Sequence, residues 1–103
     1  MKINVTIPID YTYRKLIKMT KMYMKGNYNE KVAKTVFEGK NKGYYAWIKR
    51  GGIQIEVIDK SKENVLEIQN YLEFLFCHKY IGISIENNQD MRLDLKNVKC
   101  FKV

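Results

Sequence analysis

Histidine occurs once in this chain, at His78, so no histidine cluster for a metal or a proton relay can form. Cysteine occurs twice, at Cys77 and Cys100, too few for a disulfide framework or a four-thiolate zinc site. Both lie on apolar stretches and are expected to be small buried hydrophobes; a bridge between them is the expectation only for a hyperthermophile source. No run approaches the roughly 18 apolar residues of a membrane helix; the longest is Tyr44 to Ile48. No apolar leader follows Lys2, so an intracellular, cytoplasmic protein is expected. The Gly-x-Gly-x-x-Gly and Gly-x-x-x-x-Gly-Lys phosphate loops are also missing, which removes the commonest nucleotide-binding signatures.

Positive charge is what the chain has in excess. The net charge is +8 over 103 residues, and it is unevenly spread. Residues 1–54 carry 12 Lys+Arg against 3 Asp+Glu, and residues 55–103 carry 7 against 8. Such a field favours a polyanionic partner, nucleic acid (DNA or RNA) or an acidic protein. A solvated lysine-rich surface is the competing explanation. Lysine is preferred to arginine 16 to 3 and alanine occurs only twice, a skew resembling small proteins of phages and archaeal viruses from AT-rich genomes.

The pattern predicts one α+β domain over residues 1–103 with no linker or repeat. Ile3, Val5 and Ile7 alternate with polar residues in a strand ended by Pro8. With Asp10 as N-cap, Tyr11 to Lys25 reads as a helix with Tyr13, Leu16, Ile17, Thr20, Tyr23 and Met24 on its apolar side. Asn27 and Glu30 resemble a capping box opening a second helix to Glu38, with Val32, Val36 and Phe37 inward. Residues 39–43 form a basic loop. The runs Tyr44 to Arg50 and Ile53 to Ile58 flank Gly51-Gly52, a two-residue hairpin signal. That turn pairs Ile48 with Ile55 and Ala46 with Val57 on one face, and Tyr45, Trp47 and Lys49 with Ile58, Glu56 and Gln54 on the other.

Ser61 caps a further helix with Val65, Ile68, Leu72, Leu75 and Phe76 inward and Glu63, Glu67, Asn70 and Glu73 outward, closed by His78 and Lys79. Strands are expected around Ile81 to Ile85, Met91 to Leu95 and Val98 to Val103. The order β-α-α-β-β-α-β-β implies a mostly antiparallel sheet with helices on one face.

Two family resemblances concern this order. From Lys2 to Phe76 it is similar to a type I KH domain, and Ile3-Asn4-Val5-Thr6-Ile7-Pro8 resembles the KH first strand. The KH Gly-x-x-Gly position reads Lys25-Gly26-Asn27-Tyr28, with one glycine, so no KH binding residue carries over. Merging the first two helices gives the ferredoxin-like order shared with RRM domains. The strands that would bear RRM stacking aromatics, Lys2 to Pro8 and Ile53 to Ile58, contain none.

Two constellations point to a binding surface. Arg14, Lys18, Lys21 and Lys25 are spaced 4, 3 and 4 apart, one stripe along a helix. Four phosphate contacts there imply a log–log salt slope of about −3.6. Eight of the 13 aromatics lie between Tyr11 and Arg50. Tyr45 and Trp47 share a sheet face with Lys49, flanked by Lys40, Lys42 and Arg50. An open face of this kind stacks bases. Because large aromatics are usually buried, the stronger expectation is that a helix covers this face and Trp47 is core.

The expected function is a non-catalytic nucleic-acid-binding module with little sequence specificity, without cofactor or metal. The alternative is a protein-interaction or structural protein, binding an acidic partner or forming a homodimer through the edge of Val98 to Val103. A helix-end histidine is the plain reading of His78, and Cys77 beside it does not face it. Asp90, Arg92 and Asp94 share one strand face and read as a salt-bridged surface.

Overall fold

The computed structural model describes residues 1–7, 13–24, 35–76, 82–83 and 91–94. Over these the order is β1 (Lys2–Thr6), α1 (Tyr13–Met24), β2 (Val36–Glu38), β3 (Tyr44–Lys49), β4 (Gly52–Val57), α2 (Lys62–Phe76) and β5 (Met91–Asp94). The five strands form one sheet in the order β2-β3-β4-β1-β5. The α+β class expected from the sequence is what the chain adopts.

Alternation builds the sheet. Ile3, Val5 and Ile7 of the first strand, Ala46 and Ile48 of β3, and Ile53, Ile55 and Val57 of β4 all point to one side and are buried. Both helices pack on that side. Leu16 of α1 and Ile68, Tyr71, Leu72, Leu75 and Phe76 of α2 join the same core. The helices are tied together by a hydrogen bond between Thr20 Oγ1 and Tyr71 Oη at 2.8 Å, with both residues fully buried. At the start of α2, Ser61 Oγ accepts from the Asn64 backbone N–H at 3.2 Å, the N-cap bond expected of it. The Asn64 side chain donates to the carbonyls of Gly43 and Asp59, fixing the loop before β3 against α2.

Two expectations are corrected. The second helix does not reach Glu38: Val36–Glu38 is a strand, antiparallel to β3 with Phe37 opposite Ala46. Val36 and Phe37 are adjacent, point to opposite faces as strand neighbours do, and are both buried, so the segment shows no polar side. The hairpin turns one residue earlier than Gly51-Gly52. Lys49 pairs with Gly52, so Arg50 and Gly51 are the turn, and Ile48 faces Ile53, Ala46 Ile55, Trp47 Gln54 and Tyr45 Glu56. The two glycines then have separate reasons. Gly51 takes φ 82°, open to glycine at little cost, and a Cβ on Gly52 would strike the Val5 carbonyl of β1. The sheet is mostly antiparallel, as expected, with β5 alone running parallel to its neighbour β1.

Among the described residues the element order is approximately the ferredoxin-like one with a short strand added before the hairpin, but the parallel β5 departs from that fold's antiparallel sheet; most of the second helix of the KH order lies outside the described residues. Gly82 and Ile83 lie outside any strand. Pro8, Asp10, the helix start at Asn27, the other residues of the Ile81 to Ile85 run, Leu95 and Val98 to Val103 lie outside the described residues.

Candidate nucleic-acid interface

The hairpin register decides the composition of the sheet's other face. Tyr45, Trp47 and Lys49 point away from the core, as the alternation requires. Among the described residues no helix covers them, and Trp47 is 37% exposed. The expectation of a core Trp47 is therefore overturned: both helices spend their apolar sides on the opposite face of the sheet.

Directly paired residues in neighbouring strands share a face, so its rows can be read across the sheet. The first row is Glu38, Tyr45, Glu56 and Lys2. The second is Val36, Trp47, Gln54, Asn4 and Arg92. The third begins Lys49, Gly52, Thr6. Tyr45 is thus half-buried between two carboxylates, a poor position for a phosphate. Trp47 is flanked by an aliphatic and an amide side chain, and the row ends at the exposed Arg92. Lys49 is exposed and donates from Nζ to Gln54 Oε1 at 2.9 Å, holding its ammonium beside the tryptophan row. Arg50, also exposed, sits in the adjoining turn.

Lys40 and Lys42 lie at the far end of β3, about 17 Å from Lys49 by strand rise. They occupy a single exposed 3₁₀ turn, and Asn41 and Lys42 both hold φ 56°. Lys40 also borders a polar cleft of about 300 Å³ with Asp59, Glu63 and Glu67 on its walls, so the field of this turn is offset by carboxylates. Glu67 accepts from Tyr23 Oη at 2.9 and 3.1 Å and from Tyr44 Oη at 2.9 Å. It is not the wet-side residue that helical spacing suggests. Burial, and then the neighbouring Glu67, hold the Tyr44 and Tyr23 hydroxyls well above the ordinary tyrosine range; burial does the same to Tyr71. All three stay protonated at neutral pH and can donate hydrogen bonds there but not act as bases.

The helical stripe lies elsewhere. Arg14 and Lys18 are exposed on α1, and Lys21 is half-buried with an interaction of its own. By helical geometry they stand roughly 130° around the axis from the buried row of Leu16, Thr20 and Met24. They face away from the sheet. Lys25, Tyr11 and Tyr28 lie outside the described residues. The expected site residues therefore divide into two surfaces: Arg14, Lys18 and Lys21 on the helix layer, and Trp47, Lys49 and Arg50 on the open sheet.

Lys2 and Arg92 belong to the open face and were not anticipated. Alternation puts each on the polar side of its own strand, but only the pairing of β1 with β4 and β5 shows that they share the face of Trp47, with Arg92 three strands, roughly 14 Å, away. Cys77, Cys100, His78 and Asp90 lie outside the described residues. Among the described residues no three His, Cys, Asp or Glu side chains are grouped as a metal site needs, and no helix is long and apolar enough to cross a membrane. Comparison with family models, with curated proteins and with solved structures found no match.

Proposed function

We propose that the protein is a non-catalytic module that binds single-stranded nucleic acid through the open face of its sheet, with little sequence specificity. The observation that carries this reading is the exposed Trp47 in a row ending at Arg92, with Lys49 and Arg50 on one side. An exposed indole on a flat sheet offers a surface to any unpaired base, and bases inside a duplex cannot reach it. Cations beside it meet the backbone phosphates, which fix position without reading sequence. Glu38 and Glu56 disfavour phosphate near Tyr45, so the strand runs past Trp47 toward the Lys49–Arg50 turn. The protein works in the cytoplasm, the host's if it is of viral or phage origin.

Trp47 is the only tryptophan, so its fluorescence reports on this face alone. Titration with a single-stranded oligonucleotide should quench it. If Lys49, Arg50 and Arg92 each meet one phosphate, the affinity should fall with a log–log salt slope of about −2.1. Loss of one stacked base in Trp47→Ala costs about 1–3 kcal/mol, roughly 5- to 150-fold in affinity, measured by anisotropy. Unchanged fluorescence at saturating oligonucleotide, or an affinity indifferent to salt, would refute the reading.

The rival, a protein-interaction module, draws support from Met22 and Phe74. Both are exposed on the helix layer, and Phe74 packs on Tyr23 with ring centroids 5.2 Å apart. Apolar side chains add nothing to phosphate binding, but a protein partner would bury them.

A further inference from the structure

We infer that the protein bridges two nucleic-acid segments, one on the open sheet face and a second on the Arg14–Lys18 stripe of α1. The inference rests on the reading above and extends it to a second surface. Its basis is the separation of two exposed cationic surfaces by the thickness of the fold.

One face of the sheet is buried under α1 and α2, and on the other Trp47, Lys49 and Arg92 are exposed. Cations at Lys49, Arg50 and Arg92 and cations at Arg14 and Lys18 therefore point away from each other, with the core between them. The shortest dimension of the Cα trace is 20 Å. The Debye length at physiological salt is about 8 Å, so a polyanion on one face is largely screened from a polyanion on the other. One strand wrapped around the edge is the alternative path. Among the described residues it would have to pass either the carboxylates of Glu38, Glu56, Asp59 and Glu63 at one end of the sheet or the Arg50–Gly51 turn at the other, and a strand shorter than the path around the fold cannot follow either. Two short strands can be held at once, and each neutralises its own group of cations. Among the described residues the stripe row carries cations and no exposed aromatic, so their contribution is ionic and takes single or double strands alike.

The test uses the full chain and two short single-stranded oligonucleotides, one with a donor dye and one with an acceptor, at about physiological salt. The expected result is energy transfer between them at protein concentrations that also quench Trp47. In Arg14→Gln/Lys18→Gln the transfer should disappear while the Trp47 quenching midpoint moves by no more than about twofold, as for distant independent sites. In Lys49→Gln/Arg50→Gln both signals should weaken. Transfer that survives Arg14→Gln/Lys18→Gln overturns the inference, because bridging would then arise from paired copies of the chain. Saturated Trp47 quenching with no transfer also overturns it and leaves the single-surface reading standing. Absence of both quenching and transfer removes the reading and the inference together. Displacement of the second strand by an acidic polypeptide that leaves Trp47 quenching intact, at concentrations where excess oligonucleotide fails to displace it, overturns bridging in favour of a protein partner for α1.

Discussion

Thr20 and Tyr71 offer a test of how α1 is fixed to α2. Their hydroxyls meet at 2.8 Å with both residues at 0% exposure, so neither has water as a substitute. Thr20→Val removes one hydroxyl at nearly constant shape and leaves the Tyr71 hydroxyl buried and unpaired. Stranding a buried polar group costs about 1–3 kcal/mol. Tyr71→Phe is expected at the lower end, because a helical threonine can turn its hydroxyl to the carbonyl four residues back. The Tyr71 ring keeps its packing on Tyr23 and Tyr44, with centroids 5.4 and 6.1 Å away, so that contribution stays constant. The double variant has no stranded hydroxyl and should lose much less than the sum of the singles. The coupling should be about 1–2 kcal/mol, within the range seen for contacting residues. Denaturant unfolding measures it, with m unchanged across the four proteins. For a chain of this length, Thr20→Val should lower Tm by roughly 4–20 °C. Strict additivity to within about 0.5 kcal/mol would refute the argument, since it would mean that the two groups act independently.

Gly51 and the buried tyrosines give two further tests. A Cβ on Gly51 meets nothing within 4 Å, so Gly51→Ala carries only the backbone cost of φ 82°, about 1–2 kcal/mol in urea unfolding; an unchanged midpoint would refute the left-handed turn. Alkali should destabilise the fold: Tyr44 and Tyr71 are held above their unfolded value of about 10, by burial for both and by the Glu67 charge for Tyr44, so their stabilisation is whole below about pH 10 and is lost above it. Each tyrosine contributes a slope of about 1.4 kcal/mol per pH unit in that window, and every other ionisable group is common to variant and parent, so the readout is the smaller slope of Tyr71→Phe against the parent; equal slopes would refute it.

The fold was legible wherever a segment exposed one face and buried the other. The alternation in β1, β3 and β4 and the 3–4 spacing in α1 and α2 each name a single side. The hairpin shows why this succeeds even when the register fails. Assigning the turn to Gly51-Gly52 shifts the pairing by two residues along the strand, and a shift of two returns every side chain to its own face. Side-chain direction is therefore recovered although every partner is wrong. β2 was illegible for the opposite reason. Val36 and Phe37 are buried on opposite faces, so the segment has no polar side to set a period, and helical spacing with Val32 fitted as well as a strand. The parallel pairing of β5 with β1 depends on a connection through α2 that no local pattern encodes.

The candidate site was legible as a list of residues but not as a surface. Charge spacing found Arg14 and Lys18, and strand parity found Trp47 and Lys49, but neither says which layer a face looks out from. Trp47 was expected to be core from the general rarity of exposed indoles, and that rule assumes a helix to cover each sheet face. Both helices of the described residues pack on the face where Ile3, Val5, Ala46, Ile48 and Ile55 supply the apolar area. The same allocation that opens the Trp47 face turns the α1 stripe outward on the other side. The exposure of Trp47 and the separation of the two cationic surfaces thus have one cause, the one-sided packing of the helices. A variant that loosened that packing should blur both together, whereas one that alters only a surface charge should change one and leave the other intact.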